Sequence, residues 1–228
     1  MIAVIIPAHN EQQYMAACLR SVHAAIRHPS LAGEAVQILV VLDHCTDRTG
    51  AIARGHGAQV TTVNARNVGL ARSHGAKLML ERGARWLAFT DADSRVPGHW
   101  LARQLAFGAD AVCGTVTVDQ WAEHAPEVRS RYDAHYQPVE GHRHIHGANL
   151  GVCAIAYTHA GGFQHLPAHE DVRLVQDLER KGASIIWTAT NSVITSARKD
   201  SRCREGFGDY LRSLDTAQPL ISLSQPGQ

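Results

Sequence analysis

The feature that most constrains this fold is a regular alternation of short apolar runs and helical patterns in the first half of the chain. The apolar runs are rich in β-branched residues and read AVIIP, QILVVLD, QVTTVN and WLAFTD. Helical spacing of apolar residues separates them, over residues 11–27, 46–56 and 70–81. The order βαβαβαβ predicts consecutive parallel strands, joined by helices that bury both faces of the sheet. We therefore predict an α/β fold of the Rossmann-like kind, with a mostly parallel central sheet flanked by helices.

The second half shows the same elements less regularly. A helix is predicted after Gly98, followed by a strand in DAVCGTVTVDQW. Residues 122–143 are polar and irregular, which indicates short helices or a mobile loop. HGANLGVCAIAY resumes regular structure, residues 172–181 are helical, and SIIWTATNSVIT gives a last strand. We predict a single domain over residues 1–216 and a flexible tail over residues 217–228.

Composition excludes two classes of partner. The 22 basic and 21 acidic residues nearly balance, so the chain lacks the basic field that drives nucleic-acid binding. No apolar run reaches the roughly 18 residues of a membrane span, and MIAVIIPAHNE turns polar too soon for a signal peptide. The five cysteines form no C-x-x-C pair, as expected of thiols in a reducing compartment. These features predict a cytoplasmic protein with no nucleic-acid partner and no transmembrane segment.

Polar residues stand where the four predicted strands of the first half end. They are His9, Asn10, Asp43, Asn64, Asp91 and Asp93. The carboxyl ends of parallel strands lie at one edge of a sheet, and ligands bind in the crevice beyond that edge. We therefore expect these side chains to meet at one binding crevice.

Asp91 and Asp93 flank Ala92 at the point where an apolar strand ends. Two carboxylates at this spacing can reach one cation, or one can reach the cation and the other a sugar hydroxyl. Mg²⁺ and Mn²⁺ prefer oxygen ligands, and a diphosphate would supply more of them. The alternative is a solvated turn in which Asp93 or Ser94 caps the helix that begins near Pro97. The pair by itself leaves both interpretations open.

Other motifs accompany the acidic pair in a fixed order. Along the chain they read VIIPAHNE, VLDHCTDRT, RNVGLARSHGA, TDADS and HED. In these motifs, over roughly residues 2–198, the chain resembles the family 2 glycosyltransferases of the GT-A fold. The resemblance implies a nucleotide-binding half over residues 1–97 and an acceptor-binding half over residues 98–216. It also implies a UDP-, GDP- or dTDP-sugar donor, a hydroxyl acceptor, and Mn²⁺ or Mg²⁺ as cofactor.

The resemblance places the nucleotide sugar against residues of the first half. The nucleotide pocket would be lined by Pro7, Ala8, Asn10 and Glu11. Asp43 would face the nucleotide base, and Arg72 would lie by the phosphates. Asp93 would be the main metal ligand, and Asp91 would contact the ribose or the metal-bound diphosphate. Two alternatives stay open, because Asp43 also suits a turn and Arg72 equally suits a solvated helix position.

The resemblance places the chemistry in the second half. Asp171, in HED, matches the general base of the family, which takes the proton of the acceptor hydroxyl in an inverting transfer, and Glu170 stands beside it. His146 and Asn149, in HGANLG, resemble a family segment that lines the active site. The alternative for Glu170 and Asp171 is a structural one, since acids at the start of a helix favour its dipole without any chemistry.

Departures from the family pattern limit the kind of acceptor and leave the preferred nucleotide base undetermined. The motif Q-x-x-R-W is absent, which argues against a processive polysaccharide synthase and favours one transfer to a small or soluble acceptor. His44 stands where many members have a second acid, so the preferred nucleotide base stays undetermined. Near the end of the chain, Arg198, Arg202 and Arg204 could hold a phosphate or an acidic acceptor, or form an ordinary basic surface.

Histidine is frequent, with fifteen in the chain. His142, His144 and His146 fall on one face if GHRHIHGAN is extended, and this spacing could bind zinc. We favour a structural role for the first two.

Three rival functions remain to be weighed. Phosphatases that attack through an aspartate place it after the first strand, where this chain has PAHNE. Nucleotidyltransferases require a glycine-rich phosphate loop after the first strand, and this chain has no such loop there. The stronger alternative is a non-catalytic nucleotide-sugar binding protein of the same fold, but the presence of both DAD and HED favours an enzyme.

Overall fold

Seven strands form one sheet in the part of the chain that the computed structural model describes, which comprises residues 1–121, 123–199 and 206–216. In chain order the strands are β1 (Ile2–Ala8), β2 (Val36–Asp43), β3 (Gln59–Val63), β4 (Trp86–Phe89), β5 (Ala111–Val118), β6 (Leu150–Cys153) and β7 (Ile185–Thr195). The helices are α1 (Met15–Ile26), α2 (Thr49–Gly55), α3 (Val68–Glu81), α4 (Trp100–Ala106), α5 (Pro126–His135), α6 (Ala154–His159), α7 (Glu170–Arg180) and α8 (Phe207–Thr216). A 3₁₀ turn spans Pro29–Leu31. The predicted α/β fold is confirmed.

The sheet is mostly parallel, in the order β3-β2-β1-β4-β6-β5-β7. β1 pairs in parallel with β2 and β4, and β2 pairs in parallel with β3. β6 is inserted between β4 and β5 and runs antiparallel to both. β5 and β7 are parallel, with an irregularity between Gly114 and Val116. The first four strands therefore form one parallel block, and β6 joins it to the remaining pair.

Both faces of the central strands β1 and β4 are buried, which explains why these two strands are apolar throughout. In β1, Ile2 packs on one face with Leu19 of α1, whereas Ile5 packs on the other face with Met79 of α3. α3 lies close to the sheet, because a Cβ added at Gly75 would be 2.7 Å from Cγ2 of Ile5. A larger residue at position 75 would therefore push α3 away from the sheet.

Two predicted segments differ from the structure at their boundaries. The helix predicted from residue 11 begins at Met15, because the carbonyl of Glu11 first accepts the N–H of Tyr14 and so closes a turn. Residues 123–143 are more regular than a loop, since they contain α5, whose Val128 and Tyr132 are buried. These side chains pack with Leu211 of α8, so the interpretation as short helices is the right one.

Some predictions fall on residues that the structure does not describe. The predicted tail over residues 217–228 lies outside the described residues, as do Arg202 and Arg204. Within the described ranges, no helix has the length and apolar character that crossing a membrane requires.

Candidate active site

A cleft of about 1040 Å³ opens beyond the carboxyl ends of β1, β2 and β4. Ligand pockets are typically about 300–1,000 Å³, so this cleft is at the upper end of that range. The predicted site residues that line it are Pro7, Ala8, Asn10, Glu11, Asp43, Arg72, Asp91, Asp93, His146, Glu170 and Asp171. The structure thus brings residues from both halves of the chain to one place.

Asn149 does not share this location. Its side chain is buried, with Oδ1 accepting the indole N–H of Trp100 at 2.9 Å. Its Nδ2 donates to the carbonyl oxygens of Thr115 and Asn191 at 2.8 and 2.5 Å. These contacts join β6 to α4, β5 and β7, so Asn149 holds the second half of the sheet together. Asn149 thus makes structural contacts and is not among the residues that line the cleft, whereas the sequence predicted that it contacts the nucleotide sugar.

The backbone around the cleft is strained. Among the described residues, five non-glycine residues have positive φ, and four of these line the cleft: Asn10, His44, Arg66 and His169. Such conformations cost of order 1–3 kcal/mol each and concentrate at functional sites. The clustering is independent support for a functional site here, because it does not depend on any sequence motif.

Three acids, Glu11, Asp91 and Asp93, meet Arg198 at one end of the cleft, which we call the acidic end. Arg198 makes two bonds of 2.6 Å to the carboxylate of Glu11, and its Nη2 lies 3.3 Å from Oδ2 of Asp93. Burial raises the pKa of Asp93 to about 7, although the positive charge of Arg198 opposes the shift, and the negative charges of Asp91 and Glu11 add to it. Asp93 is therefore a carboxylate whose charged form gains from a nearby cation.

The residues at this end fit a hard divalent ion. Among the described residues, no group of three or more His, Cys, Asp or Glu side chains is arranged to hold a metal by itself. However, Mg²⁺ usually binds through one or two carboxylates and takes its other ligands from water and substrate phosphates. Asp91 and Asp93 offer two such carboxylates, and with Glu11 they outnumber the neighbouring cations Arg72 and Arg198. These carboxylates supply the oxygen ligands and the negative charge that such an ion requires.

Arg72 links the acidic end to the start of α7. Its Nη2 donates to Oδ1 of Asp91 at 2.5 Å and its Nη1 donates to Oε1 of Glu170. Burial would lower the pKa of Arg72, but the charges of Asp91 and Glu170 outweigh this effect and raise it. The backbone of Gly147 covers the guanidinium so closely that a Cβ there would overlap it. With only 4% of its surface exposed, Arg72 is not the solvated helix residue of the alternative interpretation.

The two acids of the HED motif have different surroundings. Glu170 is buried against Arg72; burial raises its pKa, Arg72 opposes this, and the charge of Asp171 adds to it. Asp171 is partly exposed to the cleft, and its Oδ2 accepts the N–H of Gly147 at 2.7 Å while Oδ1 accepts the N–H of Val172 at 2.8 Å. Two backbone groups thus orient the Asp171 carboxylate. Of the pair, Asp171 is the more exposed to the cleft.

Asp43 fastens the loop after β3. Its carboxylate accepts the backbone N–H groups of Ala65, Arg66 and Asn67 at 2.8, 2.8 and 2.7 Å. Asp43 lines the cleft, yet these three bonds occupy the carboxylate that was predicted to face the base. Beside Asp43, Arg66 donates to Nε2 of His44 at 2.5 Å, and both side chains line the cleft.

We expect Asp43→Ala to lower the free energy of unfolding by about 3 kcal/mol, because three backbone donors lose a charged acceptor. Urea unfolding measures the loss. Asp119→Ala is the matched control, since Asp119 is exposed and pairs with exposed Arg95, and pairs of this kind contribute about 0–1 kcal/mol. Equal, small losses in both variants would show that Asp43 does not hold the loop.

The three clustered histidines form a packed stack. The ring centroids of His142 and His144 are 5.4 Å apart, and those of His144 and His146 are 6.2 Å apart. Nε2 of His144 lies 3.1 Å from the carbonyl of Gln137, and Nε2 of His146 lies 2.9 Å from the hydroxyl of Tyr136. These contacts support a structural role rather than zinc binding. Burial lowers the pKa of His146 to about 3, helped by His144 and His142, so this ring is neutral in the cleft.

Sequence reasoning missed an aromatic wall. Tyr136 at the end of α5 and Phe207 and Tyr210 of α8 line the cleft beside His144 and His146. The sequence contained a signal for the contribution of α5, because Tyr132 and Tyr136 are spaced as neighbours on one helical face. Their approach to α8 had no local signal.

Comparison with solved structures shows the class to which this fold belongs. The structure of S. aureus TarS 1–349 in complex with UDP-GlcNAc matches with a TM-score of 0.66 at 16% identity, covering 93% of this chain and 64% of that one. The mannosyltransferase PcManGT from Pyrobaculum calidifontis, in complex with GDP-Man and Mn²⁺, matches with a TM-score of 0.64 at 17% identity, covering 88% and 58%. This chain thus spans less than two thirds of either structure. The predicted GT-A fold is confirmed.

Comparison with protein families identifies the family itself. The model described as "Glycosyl transferase family 2" matches residues 3–166. The chain belongs to this family, as its motifs predicted. The comparison with curated proteins found no match.

Proposed function

We propose that this protein transfers a sugar from a UDP-, GDP- or dTDP-sugar to a hydroxyl of a small or soluble acceptor, with inversion at the sugar carbon. One observation carries the proposal: the acidic pair Asp91 and Asp93 and the oriented carboxylate of Asp171 line the same cleft. The bound UDP-GlcNAc and GDP-Man of the similar structures support a nucleotide-sugar donor. In this proposal residues 1–97 bind the donor and residues 98–216 bind the acceptor.

Asp171 acts as the general base. Its carboxylate has about four lone-pair sites, and the bonds from Gly147 and Val172 use two of them. A free site accepts the acceptor hydroxyl, whose proton moves to Asp171 as its oxygen attacks the sugar carbon. The bond from that carbon to the diphosphate breaks on the opposite side, so the configuration inverts. The electron pair of the broken bond leaves with the nucleoside diphosphate.

In this proposal the donor binds at the acidic end of the cleft, where the leaving group develops negative charge. Asp93, with Asp91, would hold Mn²⁺ or Mg²⁺, and a divalent ion bound there supplies the charge that stabilises a departing diphosphate. Arg72 keeps Asp91 in place from the other side. Glu170, which the sequence also named as a candidate, holds Arg72 and so positions this group of residues rather than taking the proton.

A thermal-shift screen tests the donor. UDP-, GDP- and dTDP-sugars are each added with Mn²⁺ or Mg²⁺, and a donor at a hundred times its Kd should stabilise the protein by about 2.7 kcal/mol. For a domain of this size that is a rise of several degrees in Tm. No shift with any donor and either ion would contradict the proposal. Release of nucleoside diphosphate in the presence of a hydroxyl acceptor then separates an enzyme from a protein that only binds nucleotide sugars.

A further inference from the structure

Arg198 reaches the acidic end of the cleft because the end of β7 is bonded to the segment that carries Asp91 and Asp93. The hydroxyl of Ser94 donates to that of Thr195 at 3.0 Å, and Arg95 pairs with Ile194 in an antiparallel bridge. Arg198 follows this fastened strand end. Its guanidinium also lies 5.4 Å from the ring centroid of Tyr14, which limits its movement. Its position is therefore set by the fold and is not that of a freely moving surface side chain.

Glu11 anchors this arginine. Its two carboxylate oxygens each bond to a different Nη of Arg198 at 2.6 Å, which is the bidentate geometry that guanidinium and carboxylate favour. Glu11 is only 5% exposed, and its own N–H donates to the hydroxyl of Thr49 at 2.7 Å. The carboxylate of Glu11 is thus engaged by Arg198, although the sequence placed this residue against the nucleotide.

The contact with Asp93 is looser than the anchor. It measures 3.3 Å, against 2.6 Å for each bond to Glu11. A guanidinium carries five N–H donors; the bonds to Glu11 use two of them, and the contact with Asp93 is an ion pair. The charge of Arg198 has two opposite effects at this place. It partly neutralises Asp93, which weakens attraction for a cation, and it attracts a phosphate.

We propose that Arg198 is a diphosphate-binding residue held in place by Glu11, and that its charge makes metal binding at Asp93 depend on the nucleotide. The proposal rests on the function proposed above and extends it. Without nucleotide, Arg198 screens Asp93 and a divalent ion gains little by binding. When the diphosphate is present, its charges are shared between Arg198 and the ion at Asp91 and Asp93.

Arg198→Met tests this through two binding measurements of opposite sign. Calorimetry with Mn²⁺ alone, carried out well above pH 7 so that Asp93 is charged in both proteins, should show affinity raised at least about tenfold. An opposite charge this close typically changes the affinity of a carboxylate for a proton by at least this factor, and we expect a similar effect on its affinity for a metal ion. Calorimetry with UDP and GDP in the presence of EDTA should show affinity lowered at least about tenfold. Arg198→Lys keeps the charge and should keep the Mn²⁺ affinity of the parent.

Lys199→Met is the matched control. It removes a neighbouring positive charge that lies 3.7 Å from Asp215 and is largely exposed, and it should leave both affinities unchanged. If Arg198→Met does not fold, Arg198→Gln serves in its place, because the amide removes the charge but keeps two N–H donors for the carboxylate of Glu11.

The two proposals fail in different ways. If the parent protein binds none of UDP, GDP and dTDP, the proposed function fails. If it binds a nucleotide but Arg198→Met changes neither affinity, or moves both in the same direction, Arg198 has only a structural role and this proposal is overturned.

Discussion

Replacing Asp171 with asparagine is expected to slow sugar transfer at least about 10²-fold while leaving nucleotide-sugar binding unchanged. The amide has nearly the shape of the carboxylate but cannot take a proton. Its single oxygen can still accept one of the N–H groups of Gly147 and Val172, so the loss of the other bond should cost about 1 kcal/mol of stability. Steady-state rates give kcat, and calorimetry gives the affinity for the donor.

Glu170→Gln is the comparison that separates a base from a structural acid. It removes the buried partner of Arg72, and breaking such a pair typically costs about 3–5 kcal/mol of stability. We expect this variant to lose more stability than Asp171→Asn and to keep more of its kcat per folded molecule. A folded Asp171→Asn protein with near-normal transfer, together with a slow Glu170→Gln, would reverse the assignment.

Asp93→Asn should abolish the part of nucleotide affinity that depends on Mn²⁺ or Mg²⁺. The amide offers a neutral oxygen in place of a charged one, and hard ions bind it far less strongly. Titration of nucleoside diphosphate with metal and with EDTA measures this part directly. The exposed Asp133, which lies 3.7 Å from Arg129, provides the control Asp133→Asn, with no change expected. A metal effect that persists in Asp93→Asn would exclude Asp93 as the metal ligand.

The same variant should raise the stability of the ligand-free protein above pH 7. Burial raises the pKa of Asp93 from its usual 3.8 to about 7. Between these values the unfolded chain has already lost the proton that the folded protein keeps, so stability falls as the pH rises through this window. Asparagine has no proton to lose and avoids the fall. Urea unfolding of both proteins below pH 4 and above pH 7 checks the sign, because the gain should appear only at the higher pH.

The parallel half of the fold could be predicted because its signal is local. β1, β2 and β4 are mostly apolar, β3 is short and contains several β-branched residues, and each of these four strands is followed by a helix. The direction of β6 could not be predicted in this way, since four residues carry no mark of whether a strand runs parallel or antiparallel. α5 was also indistinct, because only Val128 and Tyr132 of this helix are buried and its packing partner α8 lies far along the chain.

The site could be predicted where topology alone decides it. Residues at the carboxyl ends of parallel strands meet whatever their partners are, and this places Asp43, Asp91 and Asp93 correctly at the cleft. Hydrogen-bond partners are another matter, because they depend on backbone groups brought in by tertiary structure. The carboxylate of Asp43 accepts backbone N–H groups of the loop after β3, and Arg198 bonds to Glu11, which is 187 positions away in sequence.

The place of β5 in the sheet has a consequence for biosynthesis. β5 lies between β6 and β7, and both of these strands follow it in the chain. A nascent chain that has emerged only as far as β5 therefore holds AVCGTVTV, an apolar strand, with both edges unpaired. Unpaired apolar edges promote association with other chains. The parallel block formed by β1 to β4 can pair as soon as it is made, whereas β5 stays vulnerable until translation has supplied residues up to Thr195. The antiparallel insertion of β6 thus leaves the later half of the protein more dependent than the earlier half on protection during synthesis.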